Sequence, residues 1–173
     1  MLKDHSEIIE FYKRRTGAHI TALNYFAGLL GTRFPEHDSD KFSAPLLIPY
    51  ALKNYSDYHP DFAWSDALEK ESQCAWYKHH SSAAHHVESY ADIADMPDTR
   101  ITEMLCDWFT ANNEQNLVQK RPVYCTIMDF YSRHALPTFK FVPRQQTLIL
   151  ELIEELKVRE DTEKFLEIWK DIK

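Results

Sequence analysis

The chain has 173 residues, enough for one domain with a substantial core and too few for two. Hydrophobic residues make up 44% of it and charged residues 27%, a composition typical of a packed globular protein. We therefore expect a single domain over residues 1–173. The net charge of −7 provides no basic surface for duplex nucleic acid. The three glycines all lie at or before position 31, which excludes the glycine-rich loops of P-loop and Rossmann nucleotide binding.

The cysteines and the apolar segments indicate the cellular location of the protein. The three cysteines are odd in number and lack CxxC spacing, so we expect reduced thiols and no disulfide. The longest apolar run, residues 44–52, contains prolines and is too short to span a bilayer. These features predict a soluble cytoplasmic protein without a membrane partner.

The first third of the chain is expected to be helical. Apolar residues recur at three- and four-residue spacings and predict a helix to about Thr32, with Gly17 as a candidate break. A short helix is expected after Pro35 and another near Pro45 and Pro49, because proline fits the first turn of a helix.

The middle of the chain carries loop and capping signals. Residues 55–62 have loop composition, and Asp61 or Ser65 is placed to cap a helix that ends at a histidine pair. Met96 and Pro97 then mark the end of the preceding segment, and a helix is expected to begin at Asp98. Its apolar residues recur at i, i+3, i+4 and i+7 and so form one face. We expect that helix to be buried.

The C-terminal third is expected to be helical as well. Pro122 is predicted to open a helix that Pro137 ends, and Pro143 opens two amphipathic helices. No segment shows sustained apolar alternation, so we predict an all-α bundle of about six or seven helices. The last helices either cover the domain's own core or form a homodimer face.

Nine histidines, six of them interleaved with acidic residues, indicate a candidate metal site. Imidazole nitrogens and carboxylate oxygens are ligands of divalent Mn, Fe, Zn and Mg ions. His37 and Asp38 are adjacent, so one turn can present both. Asp107 lies in the apolar run EMLCDWF, where a buried carboxylate needs a partner. A salt bridge from Asp107 to Arg100 or Lys120 is the alternative.

The order of these residues resembles a known superfamily. His19, the segment HDSDK at 37–41, the histidine pairs at 79/80 and 85/86, and Asp107 resemble the H…HD…H…H…D series of HD-domain proteins, helical metalloenzymes that are mostly phosphohydrolases. HDSDK is similar to the HDxxK form of HD-GYP cyclic-dinucleotide phosphodiesterases and of diiron oxygenases such as myo-inositol oxygenase. HDSDKF, HHVES and EMLCDW are similar to an uncharacterised HD-like family of phages and bacteria. The chain lacks the GYP element and its histidine clusters are closely spaced, which leaves a mononuclear site open.

The resemblance implies an HD-domain-like helical bundle that holds one or two divalent ions (Mn, Fe, Mg, Co, Ni or Zn). It implies a first metal held by His19, His37, Asp38 and Asp107, and a second completed by His79 or His80 with His85 or His86. Asp38, Lys41 and Glu88 are expected to act in catalysis, with Lys41 facing the substrate phosphate. Glu88 and Glu103 are placed to orient a ligand histidine or to balance the charge of Arg100. Plain surface charge is the alternative for Lys41 and for both glutamates.

The implied activity is hydrolysis of a small phosphoester, with a nucleotide as the favoured substrate, through a metal-bound hydroxide. The alternatives are an HD-type diiron oxygenase and a non-catalytic nucleotide-binding or interaction module. Small residues at 81–84 either line a substrate entrance or cap a helix. Seven aromatic residues either form a base-stacking wall or belong to the core: Tyr25, Phe26, Trp76, Tyr77, Tyr90, Trp108 and Phe109.

Overall fold

The computed structural model describes residues 5–172, and these form seven helices with no β-strand among them. The predicted all-α bundle is therefore confirmed. Three short 3₁₀ turns lie in the connections, at Ser39–Phe42, Val87–Ser89 and Ile93–Asp95. The helices are α1 (His5–Leu29), α2 (Leu47–Tyr58), α3 (Asp66–His80), α4 (Asp98–Asn113), α5 (127–139), α6 (Pro143–Arg159) and α7 (Thr162–Trp169).

Helix α1 packs against two separate apolar clusters. Its N-terminal half buries Ile8 and Phe11 against Leu52 and Tyr55 of α2. Its C-terminal half contributes Phe26 and its neighbours to a larger cluster with α4, α5, α6 and α7. Buried polar residues occupy the middle of α1, between these clusters, so the fold places a polar site where the two apolar cores meet.

Helix α1 is unbroken at Gly17 and ends at Leu29, slightly before the predicted end. Gly31 has a positive φ of 74°. The Thr32 amide donates to the Ala27 carbonyl at 3.0 Å and the Gly31 amide to the Gly28 carbonyl at 3.2 Å. This pairing is a Schellman motif, in which glycine adopts the left-handed conformation at low cost. The turn directs the chain back toward the middle of α1.

Helix α2 is longer than the sequence predicts. It runs through Tyr58, so the first residues of the expected loop at 55–62 are helical, because Leu52 and Tyr55 pack on α1. The Ser65 hydroxyl accepts a hydrogen bond from the Leu68 amide at 3.3 Å. Of the two candidate caps, Ser65 is therefore the N-cap of α3.

Two π-helical turns interrupt the second half of the bundle. Helix α4 continues as the π-turn Glu114–Val118. Helix α5 starts at Ile127 instead of Pro122 and contains the π-turn Tyr131–Ala135. It passes Pro137, which lies at the start of the next α-helical turn, where the missing N–H costs little. Pro143 opens α6 as predicted.

The three cysteines are free thiols, and only Cys106 is buried. No helix in the described part of the chain is long and apolar enough to cross a membrane.

Candidate metal centre

Seven histidine and aspartate side chains from five segments of the chain converge near the middle of α1. Six of them are buried, and the Asp107 side chain is 17% exposed. They are His19 of α1, His37 and Asp38 before the first 3₁₀ turn, His79 at the end of α3, His85 and His86 in the α3–α4 connection, and Asp107 of α4.

Asp38 lies at the centre of this cluster. Its Oδ1 atom is 3.2 Å from His79 Nε2, 3.6 Å from His85 Nε2 and 3.7 Å from His37 Nε2. The backbone of Asp38 is left-handed, with φ 58°, and its side chain is buried. Lys41 Nζ donates to the other oxygen, Oδ2, at 2.7 Å.

Three of these converging atoms are buried without a hydrogen-bond partner: His37 Nε2, Asp38 Oδ1 and His85 Nε2. Unpaired buried polar atoms are costly and rare in native proteins. They belong to side chains that ligate divalent cations, and ligand atoms of these three residues all lie within 4.8 Å of one another. The residues present therefore fit a bound metal ion.

Two further groups flank Asp38, one on each side. On the α1 side, Asp107 Oδ1 is 2.9 Å from His19 Nε2 and 3.7 Å from His37 Nε2. On the α3 side, His86 Nε2 is 3.1 Å from His79 Nε2. His79, His85 and His86 form a second set with ligand atoms within 4.8 Å. Side chains of the metal-ligating type therefore lie on both sides of Asp38.

The structure distinguishes the two histidines that end α3. His79 faces Asp38, whereas the His80 ring stacks between Trp76 and His86, with ring centroids 3.8 Å and 3.6 Å away. His80 Nδ1 is 3.5 Å from Glu88 Oε1. His80 and Glu88 therefore lie at the edge of the cluster, and His86 contacts both His79 and His80.

Carboxylates behind the cluster fix the orientation of two histidines. His37 Nδ1 donates to Glu103 Oε1 at 3.0 Å, and His79 Nδ1 donates to Asp40 Oδ2 at 2.8 Å. In neutral rings this leaves each Nε2 lone pair directed into the cluster, as in metal-ligating histidines with carboxylate partners. Glu103 has the position that the sequence predicts. The role of Asp40 was not predicted, although it stands two residues after Asp38 in the same motif.

Glu114 supports the cluster from the far side of His19. Its carboxylate accepts hydrogen bonds from Arg15 through two guanidinium nitrogens, from the Tyr58 hydroxyl at 2.8 Å and from Gln119 at 3.1 Å. Glu114 Oε2 is 3.7 Å from His19 Nδ1. Burial would raise the pKa of Glu114, but the charge of Arg15 outweighs it and lowers the pKa to about 2. Sequence reasoning missed this carboxylate.

The histidines of the cluster differ in pKa. Burial would lower the pKa of His37, but neighbouring carboxylates, Asp38 first, raise it to about 10, so a cation that binds at His37 Nε2 has to displace a proton. Burial lowers the pKa of His85 to about 4, reinforced by the charge of His37, and lowers that of His86 to about 2. His85 and His86 are thus neutral imidazoles, the form that binds metals.

Lys41 and Asp107 have partners within the cluster. Besides its bond to Asp38, Lys41 Nζ lies 5.0 Å from the centroid of the Tyr50 ring. Asp107 binds His19, while Arg100 binds Glu103 at 2.6 Å, so the alternative salt bridge from Asp107 to Arg100 is not formed.

A cavity of about 490 Å³ opens onto the cluster. His37, Asp38 and His85 form part of its wall, together with Arg33 and Arg100. The small residues Ser82, Ala83 and Ala84 also line it, as one reading of the sequence predicts. The cavity is within the size range of small-molecule sites, about 300–1,000 Å³.

The fold and this site define an all-α protein with buried histidine and aspartate groups that could hold a metal ion. The chain matches the family described as a family of unknown function (DUF5662) over residues 8–167, and it belongs to that family. The matched range includes every residue of the cluster. No curated protein and no solved structure gave a match.

Proposed function

We propose that the protein is a metal-dependent phosphohydrolase of the HD type that acts on a small phosphoester. The observation that carries this proposal is the convergence of the unpartnered atoms of His37, Asp38 and His85 on the wall of an open cavity. The same cavity has arginines in its wall, which suit an anionic substrate.

The proposed ligands form two groups that share Asp38. His19, His37, Asp38 and Asp107 would hold one cation, and His79, His85 and His86 with Asp38 would hold the other. Divalent ions bound in such a site polarise phosphoryl oxygens and make water a better nucleophile near neutral pH. The histidine-rich ligand set suits Mn, Fe, Co, Ni or Zn better than Mg.

The remaining residues of the chain bind, orient and balance charge. Glu103 and Asp40 hold His37 and His79 with their Nε2 atoms inward. Lys41 neutralises the outer oxygen of Asp38, which supports the ionised carboxylate. With Lys41 engaged there, we assign the general attraction of an anionic substrate into the cavity to the arginines that line it. The free thiols fit a reducing compartment, from which we infer a cytoplasmic location.

Metal content and phosphate release test this proposal together. Protein purified without chelator is analysed for metals and then assayed with Mn²⁺ and a panel of small phosphoesters. Asp38→Asn keeps the size of the side chain and removes its charge, so we expect metal loss and at least a roughly 100-fold fall in phosphate release. His59→Ala is the matched control, because His59 stacks on Tyr55 outside the cluster.

Two results would contradict the hydrolase. Metal-loaded protein that releases no phosphate from any ester, but consumes oxygen when loaded with iron, would favour the diiron oxygenase reading, which the same ligand set suits. Full metal retention in Asp38→Asn would contradict the proposed metal site itself, since the variant would bind metal without the charge of the central ligand.

A further inference from the structure

The cavity beside the candidate metal centre carries two arginines that the metal ligands do not require. Arg33 is exposed and its guanidinium forms no hydrogen bond or ion pair within residues 5–172. Arg100 gives one nitrogen to Glu103 and is 44% exposed, which leaves further N–H groups free to bind a ligand. Guanidinium groups bind carboxylates and phosphates through paired hydrogen bonds.

Of the four acidic residues in the same wall, Glu36 is exposed and the other three have partners, Lys41 in the case of Asp38. Asp40 accepts from His79, and Glu103 accepts from His37 and Arg100. Their charges are therefore directed at their own partners within the protein. Arg33 remains as an unpaired cation in the wall, so the cavity offers an anion a binding group in addition to the metal cluster.

The cavity lacks the features that recognise a nucleobase. Histidines aside, Phe34 is the only aromatic residue among the described residues that line it. Of the aromatic residues considered for a stacking wall, Phe26 and Phe109 are buried in the core, and Trp76 and Tyr77 are exposed on α3. Tyr90 lies nearer, because its hydroxyl donates to the carbonyl of the lining residue Ala84 at 2.8 Å, but its ring does not line the cavity. Proteins bind bases by stacking them on aromatic rings. A polar, charged cavity without such a wall favours a compact substrate.

We propose that the substrate is a compact organic phosphate with a second anionic group, bound by Arg33 and Arg100, and that it is not a nucleotide. This inference rests on the proposed function, because it assumes that the metal cluster binds the scissile phosphate. The second anionic group is a carboxylate or another phosphate, since both present paired oxygens to guanidinium groups.

Binding measured by calorimetry on the metal-loaded full chain tests the proposal without relying on turnover. The probes are 3-phosphoglycerate and glycerol 3-phosphate, which differ in a carboxylate, and adenosine monophosphate. We expect 3-phosphoglycerate to bind at least about tenfold more tightly than glycerol 3-phosphate, which corresponds to about 1.4 kcal/mol. Adenosine monophosphate should bind no better than glycerol 3-phosphate.

The variants assign the preference to the arginines. Arg33→Gln, and the double variant Arg33→Gln/Arg100→Gln with its metal content verified, should lose most of the tenfold preference while still binding glycerol 3-phosphate. Arg133→Gln is the control, because it removes an equal charge from α5, where Arg133 pairs with Asp129.

Three outcomes would overturn the inference: equal binding of the two glycerol derivatives, an unchanged preference in the double variant, or preferential binding of adenosine monophosphate. Failure of the hydrolase proposal is distinguishable from these. A retained arginine-dependent preference without phosphate release would refute the hydrolase and leave the anion site established.

Discussion

Removal of Arg15 should destabilise the protein strongly, because it leaves the buried Glu114 carboxylate without its cationic partner. The Glu114 side chain is 1% exposed and the Arg15 side chain 17% exposed. Breaking such a pair by removing one partner costs about 3–5 kcal/mol. For a chain of this size that corresponds to a fall in Tm of about 6–20 °C. We therefore expect Arg15→Met to unfold at a markedly lower temperature in calorimetry or circular dichroism.

A second variant tests the reason for this loss. In Arg15→Met/Glu114→Gln the buried charge is gone, while the amide carbonyl of the substituted side chain can still accept from Tyr58 and Gln119. We expect the double variant to recover at least about 2 kcal/mol relative to Arg15→Met, because no uncompensated charge remains.

The matched control uses an exposed pair. Arg144 and Asp98 have side chains that are 57% and 59% exposed, so Arg144→Met should cost about 0–1 kcal/mol. The reasoning would be refuted if Arg15→Met lost no more stability than Arg144→Met, or if the double variant were less stable than Arg15→Met.

Three further predictions concern the candidate centre and the thiols. Glu103→Gln should weaken metal affinity about 10–100-fold in a chelator competition, because His37 loses its orienting carboxylate; unchanged affinity would count against that role. Saturating Mn²⁺ at about 100 times its Kd should stabilise the fold by about 2.7 kcal/mol, seen as a chelator-reversible rise in Tm, and the rise should vanish in His85→Ala. A thiol reagent should label two cysteines in native protein and three in denaturant, because Cys106 is buried and burial raises the pKa of its thiol to about 12; three native labels would contradict its packing.

Local signals in the sequence predicted much of the fold. The Ser65 cap, the proline that opens α6 and the apolar face of α4 follow from short-range chemistry, and the structure shows all three. The errors occur where tertiary packing overrides a local signal. Pro137 predicts a helix end, but the preceding π-turn places it where a missing N–H is tolerated. Residues 55–58 have loop composition, but packing on α1 keeps them helical.

Some residues of the candidate site can likewise be predicted from the sequence, and others cannot. The adjacent pair His37 and Asp38 and the carboxylate of Asp107 can be identified because each stands out from its neighbours in the sequence. Glu114 cannot be identified in this way, since its partner Arg15 is 99 positions away and Glu114 begins a π-turn that the sequence does not predict. Pairings of this kind depend on the tertiary fold, which local patterns do not contain.

The left-handed backbone of Asp38 restricts which residues can replace it. At φ 58°, glycine is tolerated because it has no Cβ, and asparagine and aspartate are tolerated because their short polar side chains can hydrogen-bond locally. Of these three, only aspartate also carries a negative charge. An alanine variant would therefore combine backbone strain with loss of the ligand, whereas asparagine isolates the charge. The conformational demand and the chemical demand at this position thus select the same amino acid.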